Sequence, residues 1–236
     1  MKVIAVSNPK GGSGKTTIIT NLACFFSNWG FSVVVLDADS QSSAVDWAAA
    51  RDDSQVRISV IPTSADKLVS RLENAQKTAV PKTVVLLDLP AGFSAELELA
   101  IYPYLDAMLV PTIASPIDVR AMVRHLFQLH KNFYDQEKSP ATGVIINRAR
   151  PYTRIHRDVL DKFLKRISYP LIGEIRETQN YPKAAHEGNG IVDFPMRLAI
   201  KDLLQWKPIL EWLIAELFPE EDLDLFPMVD DPAQSE

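Results

Sequence analysis

Short runs of apolar residues alternate along the chain with longer stretches in which apolar residues recur every three or four positions. The apolar runs predict six strands, over 2–7, 32–37, 57–62, 82–89, 107–112 and 142–148. Helical spacing is found near 16–28, 65–77, 94–102 and 116–135. Strands without polar alternation are typical of a sheet buried on both faces, and regular strand–helix alternation indicates parallel pairing. We therefore predict an α/β fold with a mostly parallel sheet flanked by helices on both faces.

Two helical stretches follow residue 150. The segment 153–167 is amphipathic, and its apolar residues share one face: Ile155, Val159, Phe163 and Ile167. The segment 197–218 holds Pro208 near its middle, so we expect a kink or a second helix that starts there. Because no repeat or long linker divides the chain, we predict one domain over 1–218. An acidic, disordered tail is expected over 219–236.

Composition narrows the class of protein. The single cysteine, Cys24, excludes an internal disulfide and a cysteine-held cluster within one chain, and the four histidines lack the spacing of metal ligands. Residues 16–36 carry no charge over a length that could span a membrane. Polar residues and a helix stop interrupt this run, so a buried helix followed by a buried strand explains it better. The N-terminus lacks the pattern of a signal peptide, and we expect a cytoplasmic protein.

The stretch SNPKGGSGKTT, residues 7–17, follows the first predicted strand and opens the first predicted helix. Its ending matches the phosphate-binding pattern G-x-x-x-x-G-K-[ST], but Pro9 replaces the first glycine and a second lysine, Lys10, follows it. In this pattern Lys15 contacts the β- and γ-phosphates and the Thr16 hydroxyl binds Mg²⁺. The turn's N–H groups and the helix N-terminus face the phosphates. We expect ATP and Mg²⁺ to bind at Gly11, Gly12, Ser13, Gly14, Lys15, Thr16 and Thr17.

Two further strands end in carboxylates. Asp88 ends the apolar run VVLLD, where a carboxylate can hold the metal through water. Asp37 and Asp39 stand at the end of another strand, in VVVLDADSQ. Because the carboxyl ends of parallel strands meet at the ligand crevice, we expect these groups to converge on the glycine-rich turn. The predicted metal set is Thr16, Asp88 and Asp39.

With these motifs in place, the chain resembles a known family. The segments KGGSGKTT, LDADSQ and LLDLPAG are similar to those of the ParA/MinD group of P-loop ATPases, which carry a deviant Walker A motif. The resemblance continues through LVPTIASPIDVRAM, GVIINR and IRETQNYPKAAHEGNGIVDF, so it spans roughly residues 1–200 and fits the ParA branch best. It implies a P-loop NTPase fold, a slow and partner-stimulated ATPase, and a homodimer that encloses two ATP molecules between its subunits.

The resemblance also implies roles for individual residues. Lys10 matches the family's signature lysine, which would reach the phosphates bound by the other subunit and stabilise charge on the transferring phosphoryl group, as an arginine finger does. Asp39 matches the aspartate that helps position the attacking water, and Asp37 matches its supporting partner. Gly12 matches a glycine packed against the facing subunit. The alternative for Lys10 alone is a solvated loop lysine.

Residues outside the first motif are matched in the same way. Asn147 resembles the residue that contacts the adenine edge, and Pro182 lies in the loop that would close over the base. The family usually has proline where this chain has Ser40 and Ala91. Both lie in segments expected to switch on hydrolysis, so these departures bear on the rate of hydrolysis and not on nucleotide binding.

Charge is distributed unevenly along the chain, whose net charge is −5. Residues 1–119 carry a net −3, residues 120–207 a net +7 and residues 208–236 a net −9. In the family, ParA-type proteins bind DNA without sequence preference as ATP dimers, whereas MinD-type proteins bind membrane through a basic C-terminal helix. An acidic C-terminal region would be repelled by anionic lipid, so we expect no membrane partner. The candidate DNA contacts are Arg150, Arg154, Arg157, Lys165, Arg166, Arg197 and Lys201.

A second interpretation of the basic half stays open. Asp158–Lys162 and Asp161–Lys165 are i,i+4 pairs, as on any solvated helix face. Under that interpretation the chain has no DNA site. The acidic tail has two interpretations beyond disorder, as a docking segment or as a mimic that competes with DNA for the basic face.

The expected function is that of a ParA-type ATPase associated with the nucleoid. ATP would close the dimer, the dimer would bind double-stranded DNA, and hydrolysis stimulated by a ParB-like or cargo-adaptor protein would release it. The cargo would be a plasmid or chromosome; the alternatives are a protein assembly, such as carboxysomes or chemoreceptor clusters, or a metabolic P-loop ligase of the same fold. Such a ligase should not need Lys10. The related iron–sulfur reductases need cluster cysteines that Cys24 alone cannot supply. No DNA-reading extension precedes Met1–Ser7, so we do not expect this chain itself to bind an operator sequence-specifically.

Overall fold

The computed structural model describes residues 1–133, 139–150, 152–154, 156–158 and 167–221, and within them seven strands form one sheet. The strands are β1 (Lys2–Val6), β2 (Ser32–Asp37), β3 (Ser59–Pro62), β4 (Thr83–Asp88), β5 (Ala107–Ile113), β6 (Ala141–Ala149) and β7 (Leu171–Arg176). Their order is β3-β2-β4-β1-β5-β6-β7, and every neighbouring pair is parallel. The predicted α/β fold with a parallel sheet is confirmed.

Helices cover both faces of the sheet. They are α1 (Lys15–Asn28), α2 (Ser43–Ala49), α3 (Ala65–Thr78), α4 (Ala95–Ile101), α5 (Pro116–Phe133), α6 (Asn180–His186) and α7 (Met196–Leu217), with short 3₁₀ turns at Tyr102–Tyr104 and Ile191–Asp193. None of the helices within the described ranges is both long and apolar enough to cross a bilayer.

Consecutive strand residues enter two separate cores, one on each face of the sheet. In β1, Ile4 and Val6 pack with α1 and α7, whereas Val3 and Ala5 pack with α3, α4 and α5. Side chains of a strand point alternately to opposite faces, so a strand buried on both faces must be apolar at every position. This requirement explains the unbroken apolar runs from which the strands were predicted.

Six of the strands match the sequence prediction with ends shifted by at most two residues, but three short elements were not predicted. They are β7, α2 and α6, none longer than seven residues. Periodicity carries little information over so few positions. β7 is also an edge strand that pairs only with β6 and is buried at two of its six positions, so it lacks the apolar run of a central strand.

The last helix differs from the expectation of a second helix that starts at Pro208. α7 runs through this proline as one helix from Met196 to Leu217. Pro208 and Leu204 are both exposed, so the Leu204 carbonyl, which loses its N–H partner to the proline, is on the side that faces water. Trp206 and Ile209, which flank the proline, are fully buried, and this packing holds the helix together on its other side.

The predicted helix over 153–167 falls largely outside the described residues. Arg154 and residues 156–158 are helical, while 155 and 159–166 are not described. Ile167 is in a bend and packs against the core on the α5 side. The acidic tail beyond residue 221 also lies outside the described residues.

α7 packs tightly against the sheet at Gly173 in β7. A β-carbon there would lie 2.8 Å from Cδ1 of Ile209 and nearer still to its Cγ1. We predict that Gly173→Ala lowers the free energy of unfolding by about 1–3 kcal/mol, because extra volume in a packed core forces neighbours out of place. Urea unfolding measures this change.

A double-mutant cycle separates overpacking from a change in strand propensity. In an Ile209→Ala background the added methyl finds space, so Gly173→Ala should cost less there than in the wild type. Equal costs in both backgrounds would contradict the overpacking argument.

Candidate nucleotide site

The end of β6 packs against the glycine-rich turn between β1 and α1 and supports it. Gly14 has φ +92°, and a β-carbon there would fall inside the amide group of Asn147. The Asn147 Nδ2 donates to the carbonyl of Ser13 at 3.0 Å, and its Oδ1 accepts from the N–H of Arg148 at 2.9 Å. Asn147, predicted to contact the adenine edge, is thus buried against the turn and supports its shape.

A second support, Asn8, was missed by the sequence analysis. Its Nδ2 donates to the carbonyl of Pro111 in β5 at 2.7 Å, and its Oδ1 accepts from the backbone N–H of Lys10 at 2.9 Å. Its own carbonyl accepts from Nζ of Lys15 at 3.2 Å. The side chain therefore ties the turn to a neighbouring strand, while the backbone holds the lysine that would bind phosphate. An asparagine placed directly after the first predicted strand was the signal available in the sequence.

Ser7, a buried residue directly after β1, contacts a buried polar cluster of His125 and Glu98. Its hydroxyl lies 3.0 Å from Nε2 of His125, and that nitrogen lies 3.6 Å from Oε1 of Glu98. Burial lowers the pKa of His125 to about 4 and raises the pKa of Glu98 to about 7. The histidine is therefore neutral near pH 7, and the cluster joins α4 and α5 to the start of the turn.

Lys15, Thr16 and Asp88 form the centre of the site. The Thr16 hydroxyl donates to Oδ2 of Asp88 at 2.8 Å. Burial lowers the pKa of Lys15, against the opposing attraction of Asp88 and Asp39. Burial likewise raises the pKa of Asp88 to about 7, helped by the nearby charge of Asp37 and opposed by the Thr16 hydrogen bond and Lys15. Both charged groups are held out of water next to an open pocket, as expected where phosphate and metal bind.

These residues fit a magnesium ion. Asp88 Oδ1 is buried and has no hydrogen-bond partner among the described residues, so one carboxylate oxygen is available for a ligand or its water. The Thr16 hydroxyl beside it is the second oxygen. Across the residues described, no cluster of three or more His, Cys, Asp or Glu could hold a metal. Mg²⁺ typically takes one or two protein oxygens and completes its shell with water and phosphate, and the Thr16 hydroxyl and the Asp88 carboxylate supply such a pair.

Asp37 organises the loop after β2. Its Oδ1 accepts from the N–H of Asp39 at 3.1 Å, and its Oδ2 accepts from the N–H groups of Ala44 and Val45, at 3.1 and 3.2 Å, in the first turn of α2. Burial raises the pKa of Asp37 although these hydrogen bonds lower it. Asp39, half buried, borders the phosphate pocket. Asp37 is therefore positioned to support Asp39, the role that the family resemblance implied.

Lys10 projects away from the turn and pairs with the first turn of α5. Its Nζ forms an ion pair with Oδ1 of Asp118, and 39% of the Lys10 side chain stays exposed. Burial alone would raise the pKa of Asp118, but hydrogen bonds from Lys10 and Ser115 outweigh it and lower that pKa. Lys10 does not border the phosphate pocket of its own chain.

The phosphate pocket has a volume of about 300 Å³ and opens at the carboxyl ends of the strands. Its lining comprises Gly11, Gly12, Gly14, Lys15, Thr16, Thr17, Asp39, Ser40, Gln41, Pro90, Ala91 and Arg148. Of the turn residues predicted to bind nucleotide, Ser13 is buried and is absent from this lining. Arg148 was not predicted. It is exposed and has φ +50°, a left-handed conformation held in part by the hydrogen bond of its N–H to Asn147.

A larger cleft of about 670 Å³ adjoins Thr16 and Thr17 and runs between α1, α2 and α6. Trp47, Tyr181 and His186 supply rings to its walls. Tyr181 is buried, and its hydroxyl accepts from Nε1 of Trp206 at 3.1 Å. Pro182, predicted to close over the base, is exposed in the first turn of α6 beside this cleft.

The structure describes five of the seven predicted DNA contacts, and all five are exposed: Arg150, Arg154, Arg157, Arg197 and Lys201. Lys165, Arg166 and the pair partners Asp161 and Lys162 lie outside the described residues. Arg150 forms an ion pair with Glu177, and this carboxylate weakens the attraction of Arg150 for an anionic ligand. Arg197 and Lys201 occupy the first turns of α7, next to Asp202, which binds Arg176 at 2.5 Å at the end of β7.

Comparison with known proteins agrees with this geometry. Residues 4–191 match the model of the CobQ/CobB/MinD/ParA nucleotide binding domain. The chain is 27% identical over 198 residues to the maintenance of carboxysome distribution protein A of Halothiobacillus neapolitanus, covering 82% of this chain and 88% of that protein. It is 21% identical over 225 residues to the septum site-determining protein MinD of Synechocystis, covering 81% and 82%.

Solved structures share the fold. A putative plasmid partition protein from Borrelia burgdorferi bound to AMPPNP superposes with a TM-score of 0.68 at 19% identity, over 92% of this chain and 99% of that one. MinD from Pyrococcus horikoshii in complex with Mg-ADP superposes with a TM-score of 0.68 at 16% identity, over 94% and 99%. At these identities the likeness establishes the parallel-sheet NTPase fold.

Asp88 provides a test of the magnesium site. Asp88→Asn keeps the side chain's shape and removes its charge, so we predict that the gain in ATP affinity on adding Mg²⁺ falls about 10- to 100-fold. In the wild type a proton competes with the metal at the Asp88 carboxylate. The gain in ATP affinity on adding Mg²⁺ should therefore shrink as the pH falls from about 8 to about 6, by up to about tenfold per pH unit. Titration with a fluorescent ATP analogue, with Mg²⁺ and with EDTA, measures both effects.

Asp88→Asn also controls for protonation of ATP itself over this pH range. Protonation of the nucleotide's phosphates is common to the two proteins, so only the pH dependence that Asp88→Asn loses belongs to Asp88. A variant that keeps both the full gain and the wild-type pH profile would exclude Asp88 from the metal site.

Proposed function

This chain belongs to the CobQ/CobB/MinD/ParA family of nucleotide-binding domains, and we propose that it is a ParA-type ATPase that dimerises on ATP and positions a cargo in the cell. The observation that carries the proposal is the meeting of three strand ends at one pocket. Lys15 and Thr16 follow β1, Asp88 ends β4, and Asp39 follows β2. A lysine for phosphate, an oxygen pair for a cation and a carboxylate near the reacting phosphate are what phosphoryl transfer to water requires.

Each residue has a part in this reaction. The turn's N–H groups, Lys15 and Thr17 bind the phosphates, and Thr16 and Asp88 hold Mg²⁺. When bound, Mg²⁺ neutralises charge on the β- and γ-phosphates. Asp39, steadied by Asp37, orients the attacking water. The base occupies the cleft bordered by α6 near Pro182, while Asn147 keeps the turn in the shape that receives the phosphates.

The active form is a homodimer that closes over two ATP molecules. Lys10 does not line its own phosphate pocket, and its ammonium is at the exposed edge of the site, where a second subunit can be reached. Gly12 has φ +77° and open space around it, which allows a facing backbone to approach closely. Because completion of the site requires the partner's lysine, the isolated subunit hydrolyses ATP slowly.

Non-specific DNA is the surface on which the dimer acts. Arg154, Arg157, Arg197 and Lys201 are exposed in the half of the chain that carries the net positive charge. Single phosphate contacts are weak, and joining two basic faces in one dimer doubles their number. ATP binding thereby switches on DNA affinity, so the ATP-bound dimer resides on the nucleoid, and hydrolysis stimulated by a cargo adaptor releases it.

The cargo favoured by the comparisons is a protein assembly. The relative that shares 27% identity over most of both chains is named for carboxysome distribution, which supports this alternative over the plasmid or chromosome expected from sequence. The plasmid partition protein shares the fold at 19% identity, which says nothing about cargo.

The proposal is tested by binding to a random-sequence DNA duplex with ATP·Mg²⁺, with ADP·Mg²⁺ and without nucleotide, at two salt concentrations. We predict binding with ATP alone, with an affinity that falls steeply with salt. Lys15→Ala should abolish both ATP and DNA binding, whereas Asp39→Ala should retain ATP-dependent DNA binding and lose phosphate release. Rapid phosphate release by the Asp39 variant, or binding that ignores the nucleotide, would contradict the proposal.

The DNA-contact residues are tested by charge reversal on α7. Arg197→Glu with Lys201→Glu should weaken DNA binding about tenfold or more and lower the salt slope by about 1 for each phosphate that the protein no longer neutralises. Lys207→Glu is the matched control, because Lys207 is exposed on the same helix and lies 3.9 Å from Glu211 in an i,i+4 pair. Because the double variant changes the net charge twice as much, a loss of binding free energy in Lys207→Glu that is half as large would show a general charge effect and no local contact.

A further inference from the structure

The segment between β4 and α4, residues 90–94, forms one wall of the phosphate pocket and is called the wall segment below. Pro90 and Ala91 line that pocket, and the N–H of Gly92 donates to the carbonyl of Pro9 at 2.9 Å. The wall segment begins just after β4, whose last residue is proposed to hold the metal. Its position therefore bears on the metal ion and on the water that attacks the γ-phosphate.

The helix that follows the wall segment, α4, is anchored by few side chains. Of its seven residues only Glu98 and Ile101 are buried. Oε1 of Glu98 lies 3.6 Å from Nε2 of His125 in α5. His125 also contacts the Ser7 hydroxyl at 3.0 Å, and its ring lies at 77° to that of Phe93 with 5.8 Å between centroids. An ionisable side chain is thus one of the two anchors of α4, and one imidazole joins it to the wall segment.

We propose that Glu98 is a positioning residue for ATP hydrolysis: while it carries a proton it holds α4 and the wall segment in place, and when it loses the proton that hold is released. Glu98 is not among the residues that line the phosphate pocket, so it acts through His125 and Phe93. The inference rests on the proposed function, because hydrolysis is its readout.

The surroundings of Glu98 favour the neutral acid. Its Oε1 is buried and has no hydrogen-bond partner among the described residues. A carboxylate oxygen without a donor is costly in low dielectric, and a neutral carboxyl avoids most of that cost. Burial raises the pKa of Glu98 to about 7, and a hydrogen bond with Ser7 opposes that rise. Glu98 therefore changes charge near neutral pH.

The ionisable groups that face Glu98 do not compensate its charge. Burial lowers the pKa of His125 to about 4 and raises the pKa of Tyr102, to which the charge of Glu98 adds, so both are neutral near pH 7. α3 also packs on α4, but within the described structure no charge of α3 influences the pKa of Glu98. An ionised Glu98 is therefore a buried, unpaired charge. Displacement of α4 toward water relieves it at the cost of few other buried contacts.

The pH profile of hydrolysis tests this role. Above pH 7 a growing fraction of Glu98 is ionised, so we predict that the wild-type kcat at saturating ATP·Mg²⁺ falls by up to about tenfold per pH unit. Glu98→Gln keeps the shape and stays neutral, so it should lose this fall, while the KM for ATP stays the same in both proteins. Steady-state phosphate release measures both constants. The ratio of wild-type to variant kcat at each pH removes the titrations common to both, those of Asp88 and of ATP.

Three controls separate the proton on Glu98 from a general effect on α4. Glu96→Gln removes an exposed carboxylate from the same helix and should keep the wild-type profile. Ser7→Ala removes a hydrogen bond that favours the ionised form, so the fall in kcat should begin at a higher pH. In nucleotide-free protein, hydrogen exchange over residues 90–101, corrected for its intrinsic pH dependence, should be faster at about pH 8.5 than at about pH 6 in the wild type and unchanged in Glu98→Gln.

The outcomes are distinct. If the wild type hydrolyses ATP and the kcat ratio stays constant over this pH range, or if exchange over 90–101 does not respond to pH in the wild type, the inference is overturned and the proposed function stands. If the wild type binds ATP and releases no phosphate at any pH, the proposed function falls and the role of Glu98 in hydrolysis falls with it.

Discussion

The site depends on one physical constraint: ionisable side chains are buried, away from water, at the carboxyl edge of the sheet. Lys15 and Asp88 are both nearly inaccessible to solvent, and burial is the largest influence on the pKa of each. A pair of opposite charges in low dielectric offsets only part of its desolvation cost, and Asp88 retains a buried oxygen with no partner among the described residues. The edge of the sheet is therefore incomplete by itself. A triphosphate and its cation complete it, so ligand binding should also stabilise the fold, by about 2.7 kcal/mol at a ligand concentration of 100 Kd.

The two faces of this fold and the centre of its site were predictable from local sequence, because each imposes a physical requirement on a short stretch of the chain. Strands such as β4 are buried on both faces, so nearly every position must be apolar and the run is visible without structural knowledge. Gly14 is dictated equally strongly, because its position admits no side chain beside Asn147. Asp39 and Asp88 were predictable from their places at strand ends, since parallel strands deliver their carboxyl ends to one edge.

What the sequence could not supply is the set of contacts between residues far apart in the chain. Asn147 supports the turn at Ser13 through a hydrogen bond that spans 134 positions, and Asp118 meets Lys10 across 108 positions, a separation no local pattern encodes. The Asn8 amide donates to the carbonyl of Pro111 in β5, 103 positions away. In these three cases the information is in tertiary packing. The short helix α2 was missed for a different reason: its start is set by the Asp37 carboxylate, which accepts from N–H groups of the first turn only seven and eight positions away, and hydrophobic periodicity does not report such a contact.

α2 also shows how a change at the phosphate pocket can reach the basic surface. At its start, the helix is tied to Asp37; at its end, Nε1 of Trp47 donates to the carbonyl of Asn189 at 3.0 Å, and the Arg51 guanidinium donates to that of Gly188 at 2.7 Å. That guanidinium also lies 3.6 Å from the Asp193 carboxylate. The 3₁₀ turn ending at Asp193 leads directly into α7, whose first turns expose the basic side chains proposed to contact DNA. If α2 moves when nucleotide binds, the entry to α7 must move with it or these hydrogen bonds must break. Packed contacts of this kind have few intermediate arrangements, so the displacement of the whole segment is the response that the geometry favours.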